Sequence, residues 1–154
     1  MTTPNDPDFV AAQTSQVTGT AITEQPLEQL LDAAAAATMT EAMGALVRFE
    51  GVVRNHDGGA VVAALSYEAH PSAAAELERV AGEVAGAHPV RVFAAHRTGL
   101  VPIGEMAFVV LVAGAHRREA FTACAEIADR VKAEVPIWKE QNLADGTTQW
   151  VGIE

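Results

Sequence analysis

Two lysines offer the most distinctive chemistry in this sequence. Lys132 and Lys139 are the only lysines in a chain of 154 residues, and seven positions separate them. A protein with so few lysines is not using this pair for solubility. Pro136 lies between them and prevents one continuous helix, so the chain must turn and can bring the second ammonium group back towards the first. A lysine held near another cation can serve as a nucleophile or as an acid–base group.

The alternative is that both lysines are ordinary surface residues. Acidic neighbours on the same predicted helix, Glu126, Asp129 and Glu134, could pair with them at helical spacing. The lysine pair alone therefore leaves both readings open.

Arginine and histidine side chains form two further candidate sites for an anion. His116, Arg117 and Arg118 lie where a predicted strand ends and a helix begins. Unpaired backbone N–H groups and the helix dipole favour phosphate or carboxylate at such a position. Two solvated arginines and a capping histidine are the alternative. Arg54, on the polar face of its strand, offers a two-pronged donor for phosphate, although a lone arginine is more often a surface residue.

Cys124 is the only cysteine. Because it lies on an apolar helical stripe with Phe121, Ala128, Val131 and Val135, we predict a buried small side chain rather than a reactive thiol. The five histidines lack the spacing of metal ligands. We therefore predict no metal and no cofactor.

The composition limits the class of protein. Twenty acidic residues against ten basic ones give a net charge of −10, so nucleic acid and anionic membranes are poor partners. No apolar run approaches the roughly 20 residues that span a bilayer, and no signal peptide is visible at the N-terminus. A single cysteine fits the cytoplasm, which is the location we predict.

The pattern of the chain predicts a disordered tail over 1–18 and one domain over 19–154. Helices are predicted at 26–37, 72–87 and 116–134. Strands are predicted at 20–23, 44–54, 61–68, 90–97, 106–113, 137–139 and 149–153. The strands at 44–54 and 61–68 are expected to pair as a β-hairpin around the turn at 55–59. Strands joined largely by hairpins, with a few helices between them, predict an α+β fold with a mostly antiparallel sheet and packed helices.

Six sequence segments occur in an order and spacing that resemble one enzyme family. They are Phe49–His56 (FEGVVRNH), Leu65–Pro71 (LSYEAHP), His96–Gly99 (HRTG), Ala115–Arg117 (AHR), Lys132-x3-Pro136-x-Trp138-Lys139 and Gly146-x3-Trp150-Val151. Together they resemble the large, catalytic subunit of molybdopterin synthase over about residues 44–152. The segment with both lysines is the most specific of the six.

The resemblance implies a fold, an assembly and an activity. It implies an α/β-hammerhead fold and a homodimer with a small ubiquitin-like subunit at each end, giving a heterotetramer. The Gly-Gly tail of the small subunit would end in a thiocarboxylate and donate sulfur to cyclic pyranopterin monophosphate. Two transfers would form the dithiolene of molybdopterin, which makes the chain a sulfurtransferase in molybdenum cofactor biosynthesis.

Positions matched to the family suggest the site residues. The resemblance implies catalytic Lys132 and Lys139, substrate-binding Arg54, His116 and Arg117, and an apolar Phe49 near the partner's tail. We expect these cations to gather in a single cleft. Two features depart from the family: Val52 stands where lysine is frequent, and no arginine follows the Trp-Val segment, a place that Arg118 could take.

The competing interpretation is a non-catalytic dimeric module that binds an anionic ligand or a partner's tail. The same arginines and histidine would serve such a module, and only the lysine pair argues against it. A nucleic-acid-binding module is disfavoured by the net charge.

Overall fold

The computed structural model describes residues 7–57 and 59–151, and these contain four helices and nine strands. In chain order the elements are α1 (Pro7–Ala12), β1 (Gln16–Thr23), α2 (Glu28–Thr38), β2 (Ala45–Val52), β3 (His56–Asp57), β4 (Ala60–Ala69), α3 (Ala73–Ala87), β5 (Val90–Arg97), β6 (Gly99–Leu100), β7 (Met106–Gly114), α4 (Arg117–Glu134), β8 (Ile137–Leu143) and β9 (Thr148–Val151).

The first sheet has the strand order β1-β5-β7-β2, and it is antiparallel except for the parallel pair of β1 and β5. Every residue of β7 is buried, because helices cover both faces. Side chains alternate along a strand, so Val110 packs on the side of α3 and α4 whereas Val109 packs on the side of α2. This layer contains most of the hydrophobic core.

The second sheet has the order β3-β4-β8-β9, with β6 also paired to β4. Val53, Leu65, Val101 and Ala107 form a small cluster of buried apolar side chains beside it. Gly146, with a φ of 90°, allows the tight turn between β8 and β9. Two mostly antiparallel sheets with packed helices confirm the predicted α+β class.

The predicted hairpin between 44–54 and 61–68 is wrong. β2 pairs with β7 in the first sheet, and β4 pairs with β8 in the second. The turn at 55–59 does close a hairpin, but its first strand is the two-residue β3, with His56 opposite Val61. The local turn residues determined the hairpin, whereas the partner of β2 was determined by burial of the distant apolar strand β7.

The N-terminal prediction also differs from the structure. Helix α1 and the start of β1 fall within the segment 7–18 that was predicted as a disordered tail, and Gln16 pairs with Arg91 of β5. The Arg91 guanidinium also donates hydrogen bonds to the Gln13 carbonyl at 2.9 Å and to Gln16 Oε1 at 3.2 Å. The predicted boundary at residue 18 is therefore wrong, and residues 1–6 lie outside the described part.

The apolar stripe predicted for α4 is confirmed at Cys124, Val131 and Val135, which are buried, and it is wrong at Phe121. Ala120, Cys124, Ile127 and Val131 are buried, whereas Phe121 is 59% exposed. Over the described residues, none of the helices combines the length and the apolar character needed to cross a membrane.

Candidate active site

A cavity of about 320 Å³ lies where the C-terminal end of α4 meets β8 and the ends of β2, β5 and β7. Both Lys132 and Lys139 line it, together with Phe49, Tyr67, His96 and Phe108. The cavity therefore contains both lysines of the chain and a group of aromatic rings.

The break after α4 brings the two lysines to one cavity. Lys132 lies in the last turn of the helix, which ends at Glu134, and Val135 adopts an extended conformation before Pro136. The chain then enters β8, where Lys139 lies between Tyr67 of β4 and Val151 of β9. Both lysines therefore line one cavity, as a turn at Pro136 allows. Lys132 is exposed, whereas Lys139 is partly buried.

Aromatic rings form one side of the cavity. Phe49 and Phe108 meet edge to face with ring centroids 5.9 Å apart, and His96 stacks on Phe108 at 5.6 Å. Tyr67 meets His96 edge to face with ring centroids 5.0 Å apart. These contacts hold the rings in fixed orientations beside the lysines.

The cavity has a positive electrostatic character. Burial raises the pKa of Tyr67 to about 12 and lowers the pKa of His96 to about 4, so both side chains are neutral at pH 7. No acidic side chain lines the cavity among the residues that the structure describes. With two lysines and no acidic group in its described lining, the cavity suits an anionic group.

Arg54 lines a smaller neighbouring cavity of about 70 Å³, together with His56 and Gln141. Lys139, Tyr67 and Val52 line both cavities, so the two are adjacent. The structure thus places Arg54 beside the lysine site, within the same region of the second sheet.

His116 and Arg117 line neither cavity. They lie at the N-terminal end of α4, whereas Lys132 lies in its last turn. Fifteen residues of α-helix separate Arg117 from Lys132, a distance of roughly 22 Å along the axis. The expectation that all predicted cations gather in a single cleft of one chain is therefore wrong, because the length of α4 keeps these two residues away.

Cys124 packs in the main core and is 4% exposed. Burial raises the pKa of its thiol to about 11. The prediction of a buried, unreactive thiol is confirmed, and Cys124 lines neither cavity.

No role was predicted from the sequence for Tyr67, His96 or Phe108. Tyr67 and His96 stand inside segments that resemble the family, which is the one indication that could have selected them. Phe108 lies in the continuous apolar run of β7 and has nothing local to distinguish it from core residues.

Comparisons with known proteins agree on one family. The family model described as MoaE protein matches residues 22–134. Molybdopterin synthase catalytic subunit 1 of Mycobacterium tuberculosis is 40% identical over 133 residues, which cover 85% of this chain and 88% of the relative.

Solved structures are also similar. Molybdopterin synthase from Staphylococcus aureus has a TM-score of 0.78 and 31% identity, over 85% of this chain and 95% of that one. A complex of subunits 1 and 2 of molybdopterin-converting factor from Helicobacter pylori has a TM-score of 0.68, over 88% of this chain and 89% of that one. At 22% sequence identity, this similarity shows a shared fold alone. The chain therefore belongs to the MoaE family, whose curated relatives are named as molybdopterin synthase catalytic subunits.

Proposed function

We propose that this chain is the catalytic subunit of a molybdopterin synthase. In this proposal it transfers sulfur from the thiocarboxylated Gly-Gly end of a small ubiquitin-like subunit to cyclic pyranopterin monophosphate, forming the dithiolene of molybdopterin. The observation on which the proposal rests is that the only two lysines of an acidic chain line one cavity with no acidic lining residue among those described. The name shared by the relatives supports it.

The cavity groups suggest separate roles in this reaction. The tail of the small subunit and the phosphate of the substrate are both anionic, so Lys132, Lys139 and the neighbouring Arg54 attract them. Lys132, on the exposed helix end, activates the reacting centre or transiently engages the terminal carbonyl of the tail. Lys139, fixed in β8, stabilises the negative charge that develops there.

The surroundings of the lysines support the same reaction. Phe49 and Phe108 provide an apolar surface that limits access of water, and Phe49 is the proposed contact for the incoming tail. The one thiol of the chain, Cys124, is buried and outside both cavities. A sulfur atom delivered by a partner is consistent with this arrangement.

A homodimer reconciles His116 and Arg117 with their proposed role in phosphate binding. Because α4 separates them from Lys132 in one chain, we propose that the partner's His116 and the partner's Arg117 reach the lysine cavity. Strand β2 is an edge strand of the first sheet, and its Leu46 and Val52 are exposed apolar residues available to a second copy. With one small subunit at each end, the proposed assembly is a heterotetramer in the cytoplasm.

Reconstitution tests the proposed function. The purified chain is mixed with cyclic pyranopterin monophosphate and a thiocarboxylated small subunit, and molybdopterin is measured. The control uses the same small subunit with an ordinary carboxylate end. We expect product only with the thiocarboxylate. If the chain binds the small subunit and the pterin but forms no product, the alternative of a non-catalytic binding module replaces this proposal.

A further inference from the structure

His96 is the one buried histidine among the described residues, and it lines the lysine cavity. Its Nδ1 lies 2.7 Å from the backbone carbonyl oxygen of Arg97. A carbonyl oxygen can only accept, so Nδ1 must be the nitrogen that bears the hydrogen. In the neutral ring, Nε2 then has no hydrogen and presents a lone pair.

Several features keep this ring neutral and fixed. The side chain is buried at 8% exposure, and burial lowers its pKa to about 4. The hydrogen bond to the Arg97 carbonyl favours the protonated ring, but the effect of burial is larger. The ring stacks on Phe108, meets Tyr67 edge to face, and is tied through Nδ1 to the Arg97 carbonyl, and these contacts restrict its rotation. The direction of the Nε2 lone pair is therefore set by packing.

The lone pair of Nε2 is available to a ligand. Within 7–57 and 59–151, no protein group forms a hydrogen bond with this atom, and it is not among the buried side-chain atoms that lack a partner. Among the described residues, the protein itself therefore makes no use of this lone pair. His96 lines the cavity, which is where a ligand would meet it.

The other polar side chains around the cavity differ from His96 in kind. Lys132 and Lys139 only donate hydrogen bonds, whereas the protonated Tyr67 hydroxyl can donate one and accept others. A phosphate or a carboxylate would be satisfied by these donors and would have no use for a nitrogen lone pair. An unprotonated ring nitrogen beside aromatic side chains can instead bind a planar heterocycle that has an N–H group at its edge.

We propose that His96 is a specificity-determining residue, whose Nε2 accepts a hydrogen bond from a ring N–H or amino group of a planar nitrogen heterocycle bound beside Phe49 and Phe108. The proposal deepens the proposed function and rests on it, because a pterin has such N–H donors. His96 positions the substrate and moves no proton, since its pKa lies far below neutral pH. Its contribution should therefore appear in substrate binding.

Nitrogen NMR of the protein with ¹⁵N-labelled histidine tests the proposal directly. In the free protein we expect the His96 resonances of a neutral ring with hydrogen on Nδ1, unchanged between about pH 6 and 8. Adding cyclic pyranopterin monophosphate should shift the Nε2 resonance in the direction of hydrogen-bond acceptance. His88, which pairs with Glu126 at 2.8 Å and lines neither cavity, is the internal control and should not respond.

Substitutions provide a kinetic test. His96→Leu should raise KM by roughly 3- to 10-fold and leave kcat within about 2-fold, because one hydrogen bond to the bound substrate is lost. His96→Gln retains an acceptor and should recover part of this loss. Urea unfolding of both variants reports any loss of fold.

The proposal is overturned if Nε2 bears hydrogen in the free protein, or if its resonance stays unchanged while the wild-type protein binds substrate and forms molybdopterin. The NMR result stands even where the leucine variant does not fold. Absence of product from the wild-type protein would instead count against the proposed function, so the two failures are distinguishable.

Discussion

Lys132 and Lys139 share a cavity but differ in their surroundings. Lys132 is exposed at a helix end, where an incoming chain can reach it, whereas Lys139 is partly buried between Tyr67 and Val151 on neighbouring strands. A reactive group needs access, and a charge that stabilises an intermediate needs a fixed position. The surroundings therefore favour Lys132 as the group that reacts first.

The buried thiol leads to a prediction about sulfur transfer. Cys124→Ala should leave the rate of molybdopterin formation within about 2-fold of wild type, because the thiol lies in the core and outside both cavities. The free energy of unfolding should fall by about 1 kcal/mol through the lost packing of sulfur. Reconstitution and urea unfolding measure the two quantities. Loss of activity in a folded Cys124→Ala variant would show that the chain's own thiol participates.

Some of the cavity-lining residues could be predicted from the sequence, and others could not. Lys132 and Lys139 were selected because the chain has no other lysine and because Pro136 prevents a continuous helix. The environment of Cys124 followed from helical spacing. The role of His96 depends on which carbonyl its Nδ1 meets and on rings from β4 and β7, and no local pattern specifies such contacts.

At the scale of elements, Arg91 joins the N-terminal segment to the first sheet. Its guanidinium donates hydrogen bonds to the carbonyl oxygens of Thr38 at 2.9 Å and Ala37 at 3.0 Å, at the end of α2, and to Gln13 at 2.9 Å. These bonds satisfy carbonyls that the helix end leaves without partners inside the helix. Arg91 therefore fixes three segments with one side chain.

Arg91→Ala should lower the free energy of unfolding by roughly 1–3 kcal/mol, because several charge-assisted hydrogen bonds are lost. Urea unfolding measures the change. Arg48→Ala is the matched control, since Arg48 is exposed and, among the described residues, pairs only with Glu50, and it should change stability by less than about 0.5 kcal/mol. Equal effects of the two substitutions would contradict the role given to Arg91.

Ion pairs connect α3 to α4 close to the active-site end of α4. Glu134 accepts hydrogen bonds from Arg130 at 2.6 Å and from Arg79 at 3.2 Å, and Arg130 also reaches Glu83 at 2.6 Å. The Arg130 guanidinium, followed by that of Arg79, lowers the pKa of Glu134 to about 2. A carboxyl whose pKa is lower in the folded protein than in the unfolded chain stabilises the fold at pH values above its pKa in the unfolded chain. This stabilisation is lost as the pH falls towards the pKa in the folded protein.

The wild-type Tm should therefore fall more between about pH 5 and pH 3 than the Tm of Glu134→Gln, which no longer has this carboxyl. Thermal unfolding across that range measures both. Glu78→Gln is the control on α3, because Glu78 takes no part in these ion pairs among the described residues, and it should follow wild type. Parallel curves for wild type and Glu134→Gln would show that the ion pairs add nothing in this pH range.

The elements themselves were largely predictable, and their pairing was not. The segments 72–87 and 90–97 correspond closely to α3 and β5, because burial on one face leaves a clear period in the sequence. The partner of β2 could not be read from the turn at 55–59. Burial of the distant strand β7 decided it, and this is a property of the whole sheet rather than of neighbouring residues.

At the scale of the whole molecule, the proposed dimer predicts complementation between two inactive variants. One variant is Lys132→Ala, and the other combines His116→Ala with Arg117→Ala. If the sites are shared between chains, half of the sites in a mixed dimer contain only wild-type groups. Random exchange of subunits should then restore about one quarter of the wild-type rate of product formation.

Subunit exchange followed by reconstitution measures this recovery. Each variant alone is the control and should form little product. A mixture no more active than its separate components would show that these residues do not act across a dimer, and the proposed role of His116 and Arg117 in phosphate binding would be withdrawn.

The central claim is that the lysine cavity is the site of sulfur transfer. The most direct measurement is molybdopterin formation by Lys132→Ala in the reconstituted system, with unfolding and dimer formation measured on the same preparation. We predict a loss of about 10²- to 10³-fold in rate, because the substitution removes a charged group from the reacting centre. Fold and assembly should stay intact, because Lys132 is exposed. Near wild-type product formation by that variant would contradict the claim.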